Sequence, residues 1–215
     1  MRKVVLLLLL GATTCLFMVN ARAQGFYIGA GVGTANASFN SSDFSAGSPS
    51  ILETQDKGSM GTKLFAGYQF TRHWGAELGY VDLGKFKYNY DAGAAGTAER
   101  DYKVTGYTLS GTGTLSITET LFVFGRVGLF QSTAKASLTN ATGTLGAALA
   151  SAGLTPGSSA SASKSNLYFG VGGEWDFLRN LGARLEYEDY GEVGDSDNTG
   201  RVKVNLFSLS VLYRF

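Results

Sequence analysis

Charged residues of this chain recur at alternate positions inside apolar segments. Glu77 sits between Ala76 and Leu78, Arg126 between Gly125 and Val127, Glu174 between Gly173 and Trp175, and Arg184 and Glu186 flank Leu185. In a strand, alternate residues share one face, so such charges are segregated from their apolar neighbours. Where that face is enclosed, opposite charges must pair, because an uncompensated buried ion is costly. Ion pairing in a confined interior is therefore the chemistry expected of Glu77, Arg126, Glu174, Arg184 and Glu186.

Other chemistries find little support. General-base and nucleophilic hydrolysis need a histidine beside a serine or carboxylate. The one histidine, His73, falls in the turn Thr71-Arg72-His73, and no converging base–nucleophile pair can be named. No catalytic residue, and hence no enzyme, is expected. One histidine and a single cysteine, Cys15, also argue against a transition-metal site. Gly29-Ala30-Gly31-Val32-Gly33 imitates a phosphate loop, but its third glycine is misplaced for a dinucleotide fingerprint and no helix follows. The acids Glu192, Asp195 and Asp197 offer at most weak calcium binding and read better as a solvated loop. No cofactor is expected.

The N-terminus has the pattern of an export signal. Met1-Arg2-Lys3 is basic, Val4 to Leu10 is unbroken apolar sequence continuing to Val19, and Ala21-Arg22-Ala23 gives the small-x-small cleavage pattern. Cleavage is expected after Ala23, leaving residues 1–23 as signal and 24–215 as one domain. An uncleaved anchor helix fits less well, since the run is short of about 20 residues and Thr13 and Thr14 interrupt it. Cys15 is a poor lipid acceptor because Leu16-Phe17-Met18 continue the apolar run. The mature chain would then lack cysteine, and so any disulfide. Of 18 Lys and Arg, the signal removes Arg2, Lys3 and Arg22, leaving 15 against 17 acids, with no basic patch for nucleic acid.

Beyond the signal no apolar run reaches helical-span length. Aromatics make up 13% and proline occurs twice, a composition rich in strand formers and poor in breakers. Hydrocarbon requires every backbone group to be paired internally, which leaves a closed barrel. The mature sequence resolves into about eight segments of period two. One face carries Phe26, Ile28, Ala30 and Val32; Met60, Leu64, Ala66 and Tyr68; Trp74, Leu78 and Tyr80; Tyr107, Leu109 and Leu115; Leu121, Val123, Val127 and Leu129; Leu167, Phe169, Val171 and Trp175; Leu181, Leu185 and Tyr187; and Phe207, Leu209, Val211, Tyr213 and Phe215. The other face is mostly glycine, hydroxyl or charge, with Gln69, Phe122 and Phe124 among its members. With an export signal, this predicts an all-β, eight-stranded, antiparallel up-and-down transmembrane barrel, apolar outside and polar inside.

Short connections at 71–73, 116–120 and 178–180 alternate with long ones at roughly 38–58, 84–101, 132–165 and 190–201. Short turns belong on the periplasmic side and long loops outside. Loop 132–165, rich in Ala, Ser, Thr and Gly, reads as flexible low complexity rather than as a helical turn over Leu145–Leu154. Aromatics near the short turns (Phe26, Tyr68, Phe70, Trp74, Phe122, Trp175, Phe177, Tyr213 and Phe215), with Tyr80, Tyr107 and Tyr187 further up, suggest two interfacial girdles.

The segments GYQFTRHWGAELGYVDLG (67–84), FGRVGL (124–129), GVGGEWDF (170–177) and ARLEYEDYGEVGD (183–195) resemble the membrane domain of outer-membrane protein A and its stand-alone small-barrel relatives. The resemblance runs over essentially all of 25–215 and is weakest in the loops. It implies residence in the outer membrane after export through the periplasm, with outer-membrane lipids as partners. The closing FSLSVLYRF, with Tyr213 and Phe215, looks like the signal read by the barrel-assembly machinery, to which periplasmic chaperones would deliver the chain. Longer members continue into a peptidoglycan-binding domain, and that function is not carried over. The resemblance also implies a lumen network in which two acids and an arginine meet a lysine on the fourth strand. Glu77, Glu174 and Arg184 match the first three; the lysine position falls at Thr112, with Lys63 or Arg126 as substitutes.

A three-residue turn at 178–180 sets Glu174 opposite Arg184 and predicts a cross-strand ion pair. Eight strands enclose a lumen just wide enough for side chains. The expected function is thus a non-enzymatic structural barrel whose long loops meet host or surface ligands. The alternative is a narrow channel or small-solute porin.

Overall fold

The period-two segments form strands that pair around a closed wall. The computed structural model describes residues 24–39, 52–56, 58–151, 153–194 and 201–215. The export segment with Ala21 and Ala23, and the loop acids Asp195 and Asp197, lie outside the described residues. In chain order the strands are β1 Gly25–Phe39, β2 Leu52–Asp56, β3 Gly58–Gln69, β4 Trp74–Asp91, β5 Thr97–Ser116, β6 Leu121–Ala141, β7 Ser159–Asp176, β8 Leu181–Val193 and β9 Val202–Arg214. A turn of 3₁₀ helix at Gly93–Ala95 links β4 to β5, and helix α1, Gly143–Ser151, lies between β6 and β7.

Every strand is antiparallel to its neighbours, and β1 closes the wall by pairing with both β3 and β9. The short β2 lies against β4 above the β3–β4 ladder, so β2 and β3 form one interrupted stave and the barrel has eight. Closure leaves no unpaired edge within the membrane, the requirement for a sheet in hydrocarbon.

The strands run much further than the sequence reading allowed. A tilted strand crosses the hydrocarbon in about 9–11 residues, whereas β5 has 20 and β6 has 21. The expected loop 84–101 is largely strand and 132–165 is strand at both its ends, and among the described residues of 38–58 and 190–201 strand covers 38–39, 52–56, 58 and 190–193; the link between β6 and β7 shortens to 142–158 and carries α1 rather than featureless chain.

The extra length has a different amphipathic sense. Near the short turns the outward face is apolar and exposed, as at Leu64, Val127, Leu167 and Leu209. Further up, the outward residues become polar and the inward ones apolar. In β9, Phe207, Leu209 and Val211 face out while Ser208 and Ser210 are buried inside. Above them Lys203 faces out and Val202, Val204 and Leu206 are fully buried. In β5, Tyr107 and Leu109 face out over inward Thr108 and Ser110, and above them Tyr102 and Val104 turn inward. Lipid outside demands the first pattern and water outside the second. The crossover therefore marks the outer surface of the membrane. The expectation of a polar interior throughout is corrected: inward charges and hydroxyls concentrate in the membrane-embedded half, where Tyr27, Phe65, Phe124 and Leu212 also point inward.

Two bulges sit at this level and repeat one motif. In Asp82-Leu83-Gly84 the Asp82 carboxylate accepts the Gly84 N–H at 2.9 Å, and in Asp189-Tyr190-Gly191 the Asp189 carboxylate accepts the Gly191 N–H at 2.9 Å. Both glycines have positive φ, +81° and +69°, and the ladder slips one register at each. Each aspartate also pairs with a lysine of the next strand, Lys103 at 2.9 Å and Lys203 at 3.0 Å. A bulge exchanges the two faces of its strand, so Leu83 and Phe86 can both point inward.

Candidate functional site

The interior is stacked in three levels. At mid-barrel, inward positions of β3, β4, β6, β7 and β8 converge on one layer of charge. Arg184 donates from Nη1 to Glu77 Oε2 at 2.9 Å, and from Nε and Nη2 to Glu174 Oε2 at 2.9 and 2.8 Å. Arg126 Nη1 donates to Glu77 Oε1 at 2.5 Å. Its Nη2 lies 2.6 Å from Glu186 Oε1, a close ion contact whose angles are not those of a hydrogen bond. Lys63 Nζ donates to Glu188 at 2.8 Å and also contacts Glu186. The Tyr27 hydroxyl donates to Glu77 at 3.0 Å. All of these side chains are buried.

Rings surround the central cation. The Arg184 guanidinium carbon is 4.5 Å from the Phe124 ring centre, 5.0 Å from Phe65 and 5.6 Å from Tyr27. Desolvated cation–π contacts of this kind add stabilisation that Lys would supply less well. Inward glycines provide room for these rings: an added Cβ at Gly67 would meet the Tyr27 ring at 2.2 Å, and one at Gly29 would meet Phe65 at 2.2 Å.

Above the charges lies the apolar level. Tyr168 stacks on Tyr190 at 5.4 Å with planes 8° apart, and Phe130 packs on Tyr190 at 4.7 Å. With Val81, Leu83, Phe86, Val104, Val204 and Leu206 they form a dry core. Below the charges a cavity of about 440 Å³ opens at the short-turn end. Arg214 stands at its wall, 2.5 Å from Asp176 and in contact with Glu174.

The five charges singled out in the sequence, Glu77, Arg126, Glu174, Arg184 and Glu186, lie in this one layer, and Glu174 is directly opposite Arg184 in the β7–β8 register. Lys63, offered by the sequence as a substitute for the lysine of the network, joins the layer, and Glu188, whose inward parity was the available signal, completes it. Arg214, Asp176 and Tyr27 were also passed over. Thr112 is inward and buried but meets none of the acids, and Arg126 and Lys63 supply the cations. Phe122, counted among the girdle aromatics, points inward and lines the cavity. Tyr213 and Phe215 face outward near the short turns with their rings 5.1 Å apart, and Phe26 packs on Tyr68 at 4.7 Å in the same band. Tyr80 and Tyr107, 5.3 Å apart, occupy the upper band. His73 is exposed in its turn.

Comparison with known proteins agrees with this geometry. The family model described as "OmpA-like transmembrane domain" matches residues 21–215. Outer membrane protein A of Escherichia fergusonii is 31% identical over 160 residues, covering 73% of this chain and 40% of the relative. That of Klebsiella pneumoniae is 29% identical over 159 residues, covering 73% and 41%. The chain thus aligns with about two fifths of the length of these relatives. Among solved structures, Neisserial surface protein A superposes with a TM-score of 0.56 at 15% identity, covering 89% of this chain and 97% of that one. Ail, the attachment invasion locus protein of Yersinia pestis, superposes with a TM-score of 0.51 at 21% identity, covering 89% and 99%. With a membrane-facing apolar belt, a closed eight-stave wall and a family match over nearly its whole length, this chain belongs to the OmpA-like transmembrane domain family and is a β-barrel of the bacterial outer membrane.

Proposed function

We propose that the protein is a non-enzymatic structural barrel that holds an extracellular β-sheet and its loops above the membrane for contact with host or surface ligands. The observation that carries this reading is the inversion of amphipathic sense along the strands. Material that only needs to cross hydrocarbon has no use for the upper halves of β4 to β7 or for their soluble-type core. Long loops on a rigid scaffold are common binding elements. In the same reading, Ala21-Arg22-Ala23 directs signal cleavage, periplasmic chaperones carry the chain, and Tyr213 and Phe215 address it to the barrel-assembly machinery. The five inward charges then stabilise the interior rather than act on a substrate.

The test is display on cells. Replacing 143–157 by a short Gly-Ser turn should abolish adhesion to the ligand surface while leaving heat-modifiable folding unchanged. Adhesion equal to that of the intact chain would defeat the proposal.

A narrow channel is the second reading, favoured by the cavity below the charge layer. The ion layer and the apolar level both stand in its path. Planar-bilayer recording of the intact chain should give no steady openings; openings that Arg184→Ala abolishes would establish the channel instead.

A further inference from the structure

We propose that the periplasmic mouth of the barrel is a binding site for a small anion carrying carboxylate or phosphate groups. The cavity there measures about 440 Å³, within the range of about 300–1,000 Å³ for small-molecule sites. Among its lining side chains are four arginines, Arg72, Arg179, Arg184 and Arg214, and two acids, Glu174 and Asp176. Arg184 is held by Glu174 at 2.8 Å and Arg214 by Asp176 at 2.5 Å. Arg72 and Arg179 project from two of the short turns and make no ion pair with any described residue. The lining side chains therefore carry more positive than negative charge, with both unspent cations at the rim. Low-dielectric walls such as Phe122 and Phe124 focus that field into the mouth.

A second observation lies at the inner end. Thr112 is 4% exposed and lines the cavity, yet its hydroxyl has no hydrogen-bond partner. A buried polar group without a partner is uncommon, and this one can donate to an oxyanion. An anion entering between Arg72 and Arg179 would gain two charge-assisted contacts at the rim and a hydroxyl below. The charge layer and the dry core close the opposite end, so access is from the periplasm. The same chemistry is offered by a soluble carboxylate or phosphate and by the phosphate of an anionic phospholipid in the adjoining leaflet.

The experiment is isothermal titration calorimetry on the full chain refolded into nanodiscs of zwitterionic lipid, with citrate and inorganic phosphate as probes. Saturable binding is expected, weakened about tenfold or more by Arg72→Gln with Arg179→Gln, as for loss of charge-assisted contacts. Thr112→Val alone should weaken it too, and Lys87→Gln on the extracellular sheet should not. Both turn arginines are exposed, and heat-modifiable migration of each variant verifies folding. Discs containing phosphatidylglycerol separate the sources: loss of the citrate signal assigns the site to lipid phosphate, and retention assigns it to a soluble anion. Absence of saturable heat with both probes, or equal binding by wild type and the double arginine variant, overturns the proposal.

Discussion

Arg184 Nη1 reaches Glu77 Oε2 at 2.9 Å across the barrel interior, while the same guanidinium holds Glu174 on the adjacent strand. One side chain thus ties β4 and β7 to β8, and all three residues are buried. Arg184→Ala leaves two buried acids short of a cation. Removing one partner of a buried pair costs about 3–5 kcal/mol; because Glu77 keeps Arg126 and Glu174 keeps Arg214, a loss near the lower end, about 3 kcal/mol, is expected. Urea unfolding in lipid vesicles measures it. Adding Glu174→Gln to Arg184→Met should recover part of the loss.

The crossover in β9 makes a paired prediction. Leu209 faces lipid, and Asn205 lies two rungs higher on the same face, above the crossover. Arginine near the midplane of a barrel's lipid face costs about 2–4 kcal/mol, falling to about 0–1 kcal/mol near the interface. Leu209→Arg should fall in the first range and Asn205→Arg in the second, by the same unfolding assay. Equal costs would misplace the membrane surface.

Phe130 is fully buried above the charge layer. Phe130→Ala should cost about 3–5 kcal/mol, the usual result for deleting a core aromatic. Bilayer recordings of this variant should remain silent, because the charge layer still fills the lumen below it.

The seam between β1 and β9 has little spare room at Gly33. A Cβ there would meet the Phe207 carbonyl oxygen at 2.1 Å and Ser208 Cα at 2.6 Å, both backbone atoms. Gly33→Ala is expected to lose about 1–3 kcal/mol through overpacking. Gly58→Ala, where nothing lies within 4 Å, is the matched control. Thermal shift of heat-modifiable migration reads both.

Helix α1 contributes no buried residue. Replacing 143–157 by a short turn should therefore change unfolding free energy by no more than about 0.5 kcal/mol, the scale of surface changes. A larger loss would make the helix part of the folding unit.

Much of this was legible from alternation alone. The outward set from Phe26 to Tyr213 and the inward charges follow from strand parity, because lipid tolerates one face only and a one-residue slip would reverse every side chain. The opposition of Glu174 and Arg184 follows from the three-residue turn at 178–180. The rule of apolar outside fails above the membrane, so residues such as Ala98, Ala134 and Leu138 fall within the expected loops although they lie buried in β5 and β6. The sign of that alternation had changed because the solvent outside the barrel had changed.

By itself, then, the sequence determined the strand faces, the closed membrane-spanning barrel and which charges point inward, since these depend on local parity and on what hydrocarbon accepts. Tertiary structure alone decided that Arg184 also reaches Glu77, which acids Arg126 bridges, how Lys63 and Glu188 join them, and that Tyr168, Tyr190 and Phe130 seal the upper lumen. Those contacts join residues as far apart as 107 to 125 positions, and their partners are set by the stagger and curvature of the closed wall, which no single strand encodes.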